Sequence, residues 1–425
     1  MATINIPYSK SHIAVSLPDA QLQGILESRA HRYKPEAGEA ELVQRALENP
    51  IASPRLCELA KGRKKIVIIT SDHTRPVPTK IISPLLLKEI RSTNPGADIT
   101  FLVATGFHRA TTQAELLNKF GEELLKHEKI VVHDCWDKST LVSAGKLPSG
   151  GDLLINKLAM EADLLIAEGF IEPHLFAGFS GGRKSVLPGI VSGETIQANH
   201  CSEFIAHEKA RAGILDGNPI HTDMLFAAKQ AKLAFIMNVV IDADKKIIHA
   251  FAGDLEQAHV AGCQFVRELA SVEAKPADIV ITSNGGYPLD QNIYQLVKGL
   301  SSGEATCKQG GVIIICAACN DGHGGEAFYK WFKEAPGGAR EVMDKIMKIG
   351  RNSTIPDQWA AQIIARIQLK HTVIIVSDQC DHQLIADMGF KPASTMEEAL
   401  AAAGKIAGPQ ATFTVIPDGV AVIIN

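Results

Sequence analysis

The stretch from Glu168 to His200 concentrates side chains that can do chemistry at neutral pH. It holds His174, then Arg183-Lys184-Ser185 among Gly178, Gly181, Gly182 and Gly189, and closes on Asn199-His200. It follows the apolar run Ala162–Ala167, which reads as a buried strand. Loops just past such strands are where open α/β sheets bind ligands. Glycines let the backbone approach a ligand and present bare N–H groups to anions. A cation beside Lys184 lowers its pKa, which makes it a candidate nucleophile. His200 is a candidate metal ligand.

Further polar groups stand just past other apolar runs. Asp72-His73-Thr74-Arg75-Pro76 follows Lys65–Thr70, and Thr105-Gly106-Phe107-His108-Arg109 follows Asp98–Ala104. Asn284-Gly285-Gly286-Tyr287 follows Ile279–Thr282 and leads to Tyr294-Gln295 and Lys298. Asn320-Asp321-Gly322-His323 follows Gly311–Cys316. In parallel sheets these loops gather at the carboxyl edge. If two domains face each other there, one cleft collects His108, His174, His200, Lys184, Arg75, Lys298 and Tyr294. Tyr294 and Lys298, spaced i, i+4, share a helix face. Arginine with lysine suits a carboxylate or phosphate. Plainer uses compete: Arg75 or Asp72 in a structural ion pair, Lys298 solvated on its helix, His73 facing water. His323 reads as a turn residue.

Several familiar motifs are absent. Gly178 and Lys184-Ser185 fit part of a phosphate loop, but Arg183 stands where its second glycine belongs. Pro188-Gly189 then argues against the long helix such a loop opens. No G-x-G-x-x-G follows the first strand of either half, and no H-E-x-x-H occurs. Cys316-Ala317-Ala318-Cys319 has no second pair to complete a zinc site. Small residues near a strand end account for it better than redox chemistry.

The elements that must position these groups alternate between strand and helix. Strands at Lys65–Thr70, Asp98–Ala104, Ile130–His133 and Ala162–Ala167 are separated by helical stretches at Thr79–Ser92 and after Thr112-x-x-Glu115, a capping box. Strands Leu233–Ile241 and Lys246–Ala252 flank the turn Asp242-Ala243-Asp244. After Ser271–Pro276 the rhythm restarts with Ile279–Thr282, Gly311–Cys316 and Thr372–Val376. The fold class is therefore α/β: two domains, each with a mainly parallel sheet flanked by helices, with the active site in the interdomain cleft. Residues 1–60 read as an irregular start. The division expected is 1–270, 277–410, and a C-terminal β-ribbon at 411–425 that packs back on the N-terminal domain or its neighbour.

A chain of 425 residues has ample length for two cores, and its 46% apolar and 21% charged composition is that of a soluble globular protein. The formal net charge of −4 gives no reason to expect nucleic acid. No apolar run reaches about 18 residues, so no membrane span is expected. Scattered cysteines and the lack of a signal peptide point to the cytoplasm.

With these residues in hand, the chain resembles the nickel-dependent lactate racemase family over almost its full length. The resemblance runs through Asp72-His73-Thr74-Arg75-Pro76, Thr105-Gly106-Phe107-His108-Arg109, Glu172-Pro173-His174, Ser180-Gly181-Gly182-Arg183-Lys184-Ser185, Asn199-His200 and Tyr294-Gln295-x-x-Lys298. It implies a nickel pincer nucleotide, pyridinium-3-thioamide-5-thiocarboxylic acid mononucleotide, made by separate biosynthetic enzymes and joined covalently to Lys184. It implies His200 as the protein's nickel ligand, completing a plane that Ni(II) accepts readily. It implies His108 and His174 as acid/base pair while a hydride moves to and from the cofactor. Arg75, Lys298, Tyr294 and Gln295 would bind the substrate carboxylate, and Trp359 resembles an active-site aromatic of the family. Asp72, the Gly181-Gly182 backbone and Ser185 would meet the cofactor. Lactate is the expected substrate. Racemisation of another 2-hydroxy acid, or non-catalytic storage of nickel or its nucleotide, are the alternatives; a zinc hydrolase lacks ligand spacing.

Overall fold

The computed structural model describes the backbone of residues 1–425 and every side chain except that of His31. Two compact units divide the chain. One holds Ala30–His200 and His207–Glu268, the other Met1–Arg29, Cys201–Ala206 and Leu269–Asn425.

The first unit is built on a six-stranded sheet in the order Ile247–Gly253, Leu233–Ile241, Leu164–Phe170, Lys65–Ser71, Asp98–Ala104, Lys129–Val132. All neighbours are parallel except the first two, joined through the hairpin turn at Asp242-Ala243-Asp244. Ile66, Ile68, Phe101, Ile166 and Phe235 lie in one buried cluster with Leu86 and Ile90 of the helix Thr79–Thr93. Strands covered by helices in this way read as unbroken apolar runs. The helix Gln113–His127 opens on the expected capping box, Thr112 with Glu115.

In the second unit the sheet order is Lys391–Ala393, Thr372–Val376, Cys307–Cys316, Ala277–Ser283, Phe413–Ile416, Leu22–Ile25, parallel throughout. Residues 1–29 thus belong here rather than with the first domain, where the sequence put them. Their irregular start is in fact a hairpin, Ala2–Tyr8 against Ser11–Leu17. Ile4, Ile6, Val15 and Leu17 alternate inward, the period of a half-buried strand, and pack on Ile279, Ile314 and Val415. The tail is not a ribbon. Phe413–Ile416 is a strand inside this sheet, and Ile423–Ile424 pairs in parallel with Ser271–Val272. The short helix Ser202–Ala206 joins the same unit, its Ser202 carbonyl accepting from Gln362 Nε2 at 2.8 Å. Among the described residues no helix is long and apolar enough to cross a membrane.

Candidate active site

Three neighbouring strands of the first sheet, Leu164–Phe170, Lys65–Ser71 and Asp98–Ala104, end on the same edge. Because they are parallel, the loops carrying Asp72 and Arg75, His108, and His174 through His200 leave from that edge. The strand order alone brings these sequence-distant groups together.

Asp72 is buried at 1% exposure, and its Oδ2 accepts from His108 Nδ1–H at 2.6 Å. Its Oδ1 accepts from the Thr74 hydroxyl at 2.6 Å and the Thr74 amide at 3.0 Å. With its proton committed, the Thr74 oxygen accepts in turn from Arg75 Nη1 at 2.9 Å and stands 3.2 Å from His108 Nδ1. Burial raises the Asp72 pKa, but the hydrogen bond and charge of His108, the Thr74 hydroxyl and the Arg75 charge outweigh it and bring it to about 2. A fixed carboxylate therefore sits behind His108 and holds its Nδ1 protonated, leaving Nε2 as the working nitrogen. Read from the sequence, Asp72 would orient Arg75 or contact the cofactor; its direct partners here are His108 and Thr74, and Thr74 had no assigned role.

The second cluster surrounds Phe176. The His174 and His200 rings meet that phenyl edge-on, with centroids 4.6 and 5.1 Å away, and Lys184 Nζ lies 5.9 Å from its centre. Lys184 Nζ is also 3.4 Å from His174 Nε2. Burial, then the Arg183 and Arg75 charges, push the Lys184 pKa well below its ordinary value against a smaller opposing effect of Glu172. A larger neutral-amine fraction follows, and that is the nucleophilic form. His200 is 5% exposed. Burial and the Lys184 charge hold its pKa down to about 3, although the Ile196 carbonyl, 3.1 Å from Nδ1, works the other way. That contact puts the ring proton on Nδ1, so Nε2 keeps the lone pair a metal requires.

Arg183, 1% exposed, moulds the loop between them. It donates to the carbonyls of Ala177 at 2.7 Å and Phe179 at 2.8 Å, and its Nε to His221 Nδ1 at 3.0 Å. Gly181 and Gly182 have φ of +74° and +51°, the left-handed region open to glycine. A Cβ on Gly182 would stand 2.7 Å from the His259 ring, and one on Gly181 2.8 Å from Asn238 Oδ1. The Gly182 amide already donates to Asn238 Oδ1 at 2.7 Å. Both glycines thus serve close packing, and the Gly182 amide is committed within the loop. Ser185, half-buried, ends the single 3-10 turn Gly182–Ser185, with no long helix after it.

The second unit holds the remaining residues. Tyr294 and Gln295 lie on the 3-10 turn Ile293–Leu296, and Lys298 is the second residue of the helix Val297–Thr306. One continuous helix was expected, but Asn292 tightens its first turn by accepting from the Gln295 amide at 3.1 Å. Asn284 holds the turn through the Gln295 carbonyl at 2.7 Å. Trp359, in the first turn of the helix Gln358–Gln368, donates from Nε1 to the Tyr294 hydroxyl at 3.1 Å. His323 is a turn residue as read, its carbonyl accepting from the Tyr294 amide at 3.2 Å.

Among the described residues no group of three or more His, Cys, Asp and Glu side chains is placed to hold a metal ion. An ion bound through His200 must therefore bring most of its ligands with it.

Comparison with known proteins follows the same lines. The family model for the lactate racemase N-terminal domain matches residues 8–213, and that for the lactate racemase C-terminal domain matches residues 272–424. The chain is 60% identical to a lactate racemase of Thermoanaerobacterium thermosaccharolyticum and 55% identical to one of Lactiplantibacillus plantarum, each over the full length of both chains. The solved lactate racemase apoprotein of the former organism superposes with a TM-score of 0.97 at 59% identity, covering both chains completely. A Thermotoga maritima protein at 18% identity shares the fold, with a TM-score of 0.65 over 92% of this chain and all of its own.

Proposed function

This chain belongs to the lactate racemase family, and on that premise we propose that it is an isomerase interconverting D- and L-lactate. The observation that carries the reading is a pair of imidazoles on one sheet edge in opposite tautomeric settings, His108 with its proton on Nδ1 and a lone pair on Nε2, and His174 with its lone pair on Nδ1 and Nε2 beside Lys184 Nζ. His108 Nδ1 is held by Asp72 at 2.6 Å, while His174 Nδ1 accepts from the Ala177 amide at 3.3 Å. Two enantiomers present their hydroxyls differently, so two acid/base groups serve where one would not.

The residues fit a nickel pincer nucleotide joined to Lys184. Lys184 has the depressed pKa that favours its reactive amine form, and His200 is a buried neutral imidazole with a lone pair on Nε2. When bound, that group supplies a hydride acceptor and donor, which spares the enzyme a carbanion beside a carboxylate. Separate biosynthetic enzymes would be needed to provide it.

The chain's own part is position and proton handling. His108 or His174 takes the hydroxyl proton of the enantiomer it faces, and the other returns a proton to the opposite product. Asp72 stabilises the imidazolium that forms at His108. Arg75, oriented by Thr74, offers a cation to the substrate carboxylate, with Tyr294, Gln295, Lys298 and Trp359 assigned to substrate binding.

The test is the intact mass of the protein produced together with the cofactor-building enzymes and nickel. The expected result is a covalent adduct of the nucleotide's mass, absent in Lys184→Ala. An unmodified mass, under conditions that load a relative, would remove the covalent-cofactor reading.

A further inference from the structure

We propose that Glu168 is a positioning residue of the racemase site: one of its carboxylate oxygens holds both ends of the loop that carries Asp72, Thr74 and Arg75, and so sets where His108 and Arg75 stand. The inference rests on the racemase reading above. It gives a role to the residue that opens the stretch from Glu168 to His200.

The sheet places this carboxylate where an apolar side chain belongs. Side chains alternate between faces along a strand. Ile66 and Ile68 of the strand Lys65–Ser71 share a buried cluster with Ile82, Leu86 and Ile90 of the helix Thr79–Thr93. Leu164, Ile166 and Phe170 of the strand Leu164–Phe170 belong to the same cluster. That alternation puts Thr70 and Glu168 on the helix-covered face as well. They are neighbours across the ladder, one step beyond the pair Ile69 and Ala167. Both are fully buried. A carboxylate in such a place is costly unless donors surround it. Hydroxyls do so here: Oε1 accepts from Thr70 Oγ1 at 2.5 Å and from Thr79 Oγ1 at 2.7 Å, and Oε2 accepts from Ser83 Oγ at 2.8 Å.

The donors to Oε1 flank the loop. Thr70 stands at the end of its strand, Thr79 opens the helix, and residues 71–78 run between them. A single oxygen therefore ties the strand end to the helix start. Within the loop Pro76 and Pro78 have no N–H to donate. The Arg75 amide makes a long bond to the Asp72 carbonyl at 3.3 Å, and Val77 packs into the cluster below. Ser83, further along the helix, holds the other oxygen but no end of the loop. An apolar residue at position 168 would suit the core and would leave the loop without this tie. Departures from the local pattern are expected where function needs a fixed geometry. If the loop shifts, Asp72 moves against His108 Nδ1 and Arg75 moves against the substrate carboxylate. A misplacement of about 1 Å costs on the order of a hundredfold in rate.

The test compares full-length, cofactor-loaded variants, with the Lys184 adduct confirmed by intact mass. Glu168→Leu removes both acceptor oxygens. Thr79→Val removes one tie of the loop at nearly constant shape, and decides the matter should Glu168→Leu not fold. Ser83→Ala removes a bond to the same carboxylate away from the loop, and Thr79→Ser keeps the hydroxyl. Thr79→Val should lower kcat and raise KM, for a loss of at least about tenfold in kcat/KM, while Ser83→Ala and Thr79→Ser stay within about twofold. A second readout needs neither cofactor nor turnover. Imidazole nitrogen NMR of the histidine-labelled chain at alkaline pH should show His108 protonated on Nδ1 in the native chain and a mixture of tautomers in Thr79→Val. Equal losses in Thr79→Val and Ser83→Ala, a loaded Thr79→Val with kcat/KM within about twofold of the parent, or an unchanged His108 spectrum would each overturn the proposal. A loaded native chain that does not racemise lactate counts against the lactate reading instead, and the His108 spectrum then decides the clamp by itself.

Discussion

Replacing Asp72 by asparagine keeps the shape behind His108 and removes the charge. The Asp72 pKa falls from 3.8 to about 2, so its surroundings favour the ionised form by about 2 kcal/mol net of burial. His108, Thr74 and Arg75 share that preference. A charge-assisted hydrogen bond exceeds a neutral one by about 1 to 1.5 kcal/mol, which bounds the His108 part from below. Between those limits the transition state in which His108 carries a proton rises by about 1 to 2 kcal/mol, roughly a six- to thirty-fold loss in kcat/KM. Enantiomers have equal free energies, so the loss must be the same from D- and from L-lactate. Initial rates from each pure enantiomer measure it, with intact mass confirming that Asp72→Asn still carries its adduct at Lys184. A fully loaded variant within about twofold of the parent in both directions would refute the role given to Asp72. The same carboxylate has a stability signature. Its pKa is depressed, so its contribution is present above the unfolded value near 4 and lost as pH falls through about 2.

Other residues carry sharper or simpler outcomes. His174→Ala should abolish racemisation in both directions while the Lys184 adduct remains; retained turnover with a full adduct would exclude His174 as an essential base. Gly182→Ala should lower the melting temperature of the purified chain, because it combines a φ of +51° with a Cβ 2.7 Å from the His259 ring, for about 2 kcal/mol or more. Tyr8→Phe reports on the N-terminal hairpin. Burial, then the hydrogen bond to Asp378, raise the Tyr8 pKa to about 12, so its contribution is present below pH 10 and lost as pH climbs through about 12. The variant should be less stable at neutral pH by about 1 kcal/mol and should lack that extra alkaline loss in denaturant titrations.

What the sequence made legible was local. Apolar runs such as Lys65–Ser71, the Thr112–Glu115 capping box and the Asp242–Asp244 turn each depend on a few adjacent residues. The first sheet's loops at Asp72, His108 and His174 could be grouped because parallel strands share an edge. The second unit was harder, since Leu22–Ile25 pairs with Phe413–Ile416 from the far end of the chain. Nothing in either segment alone marks that partner. Inside the site, Thr74 and Phe176 were passed over for a similar reason. A hydroxyl relaying between Asp72 and Arg75, or a phenyl ring between two imidazoles, is defined by neighbours rather than by residue type.

The adjacent cations Arg183 and Lys184 illustrate how one loop treats two basic side chains differently. Burial lowers the Arg183 pKa only to about 10, so the guanidinium stays charged at neutral pH. Its donors reach the Ala177 and Phe179 carbonyls and the His221 lone pair, which replace water around a planar fork. A lysine ammonium at that position has neither the reach nor the directions to meet the same set. Lys184 Nζ instead meets an imidazole nitrogen, His174 Nε2, 3.4 Å away. The Arg183 charge that the loop solvates is then one of the causes that depress Lys184. The order Arg-Lys therefore has a physical meaning that Lys-Arg or Lys-Lys would lose: the first residue shapes the loop and keeps its charge, and the second is driven toward the neutral amine that a covalent attachment requires.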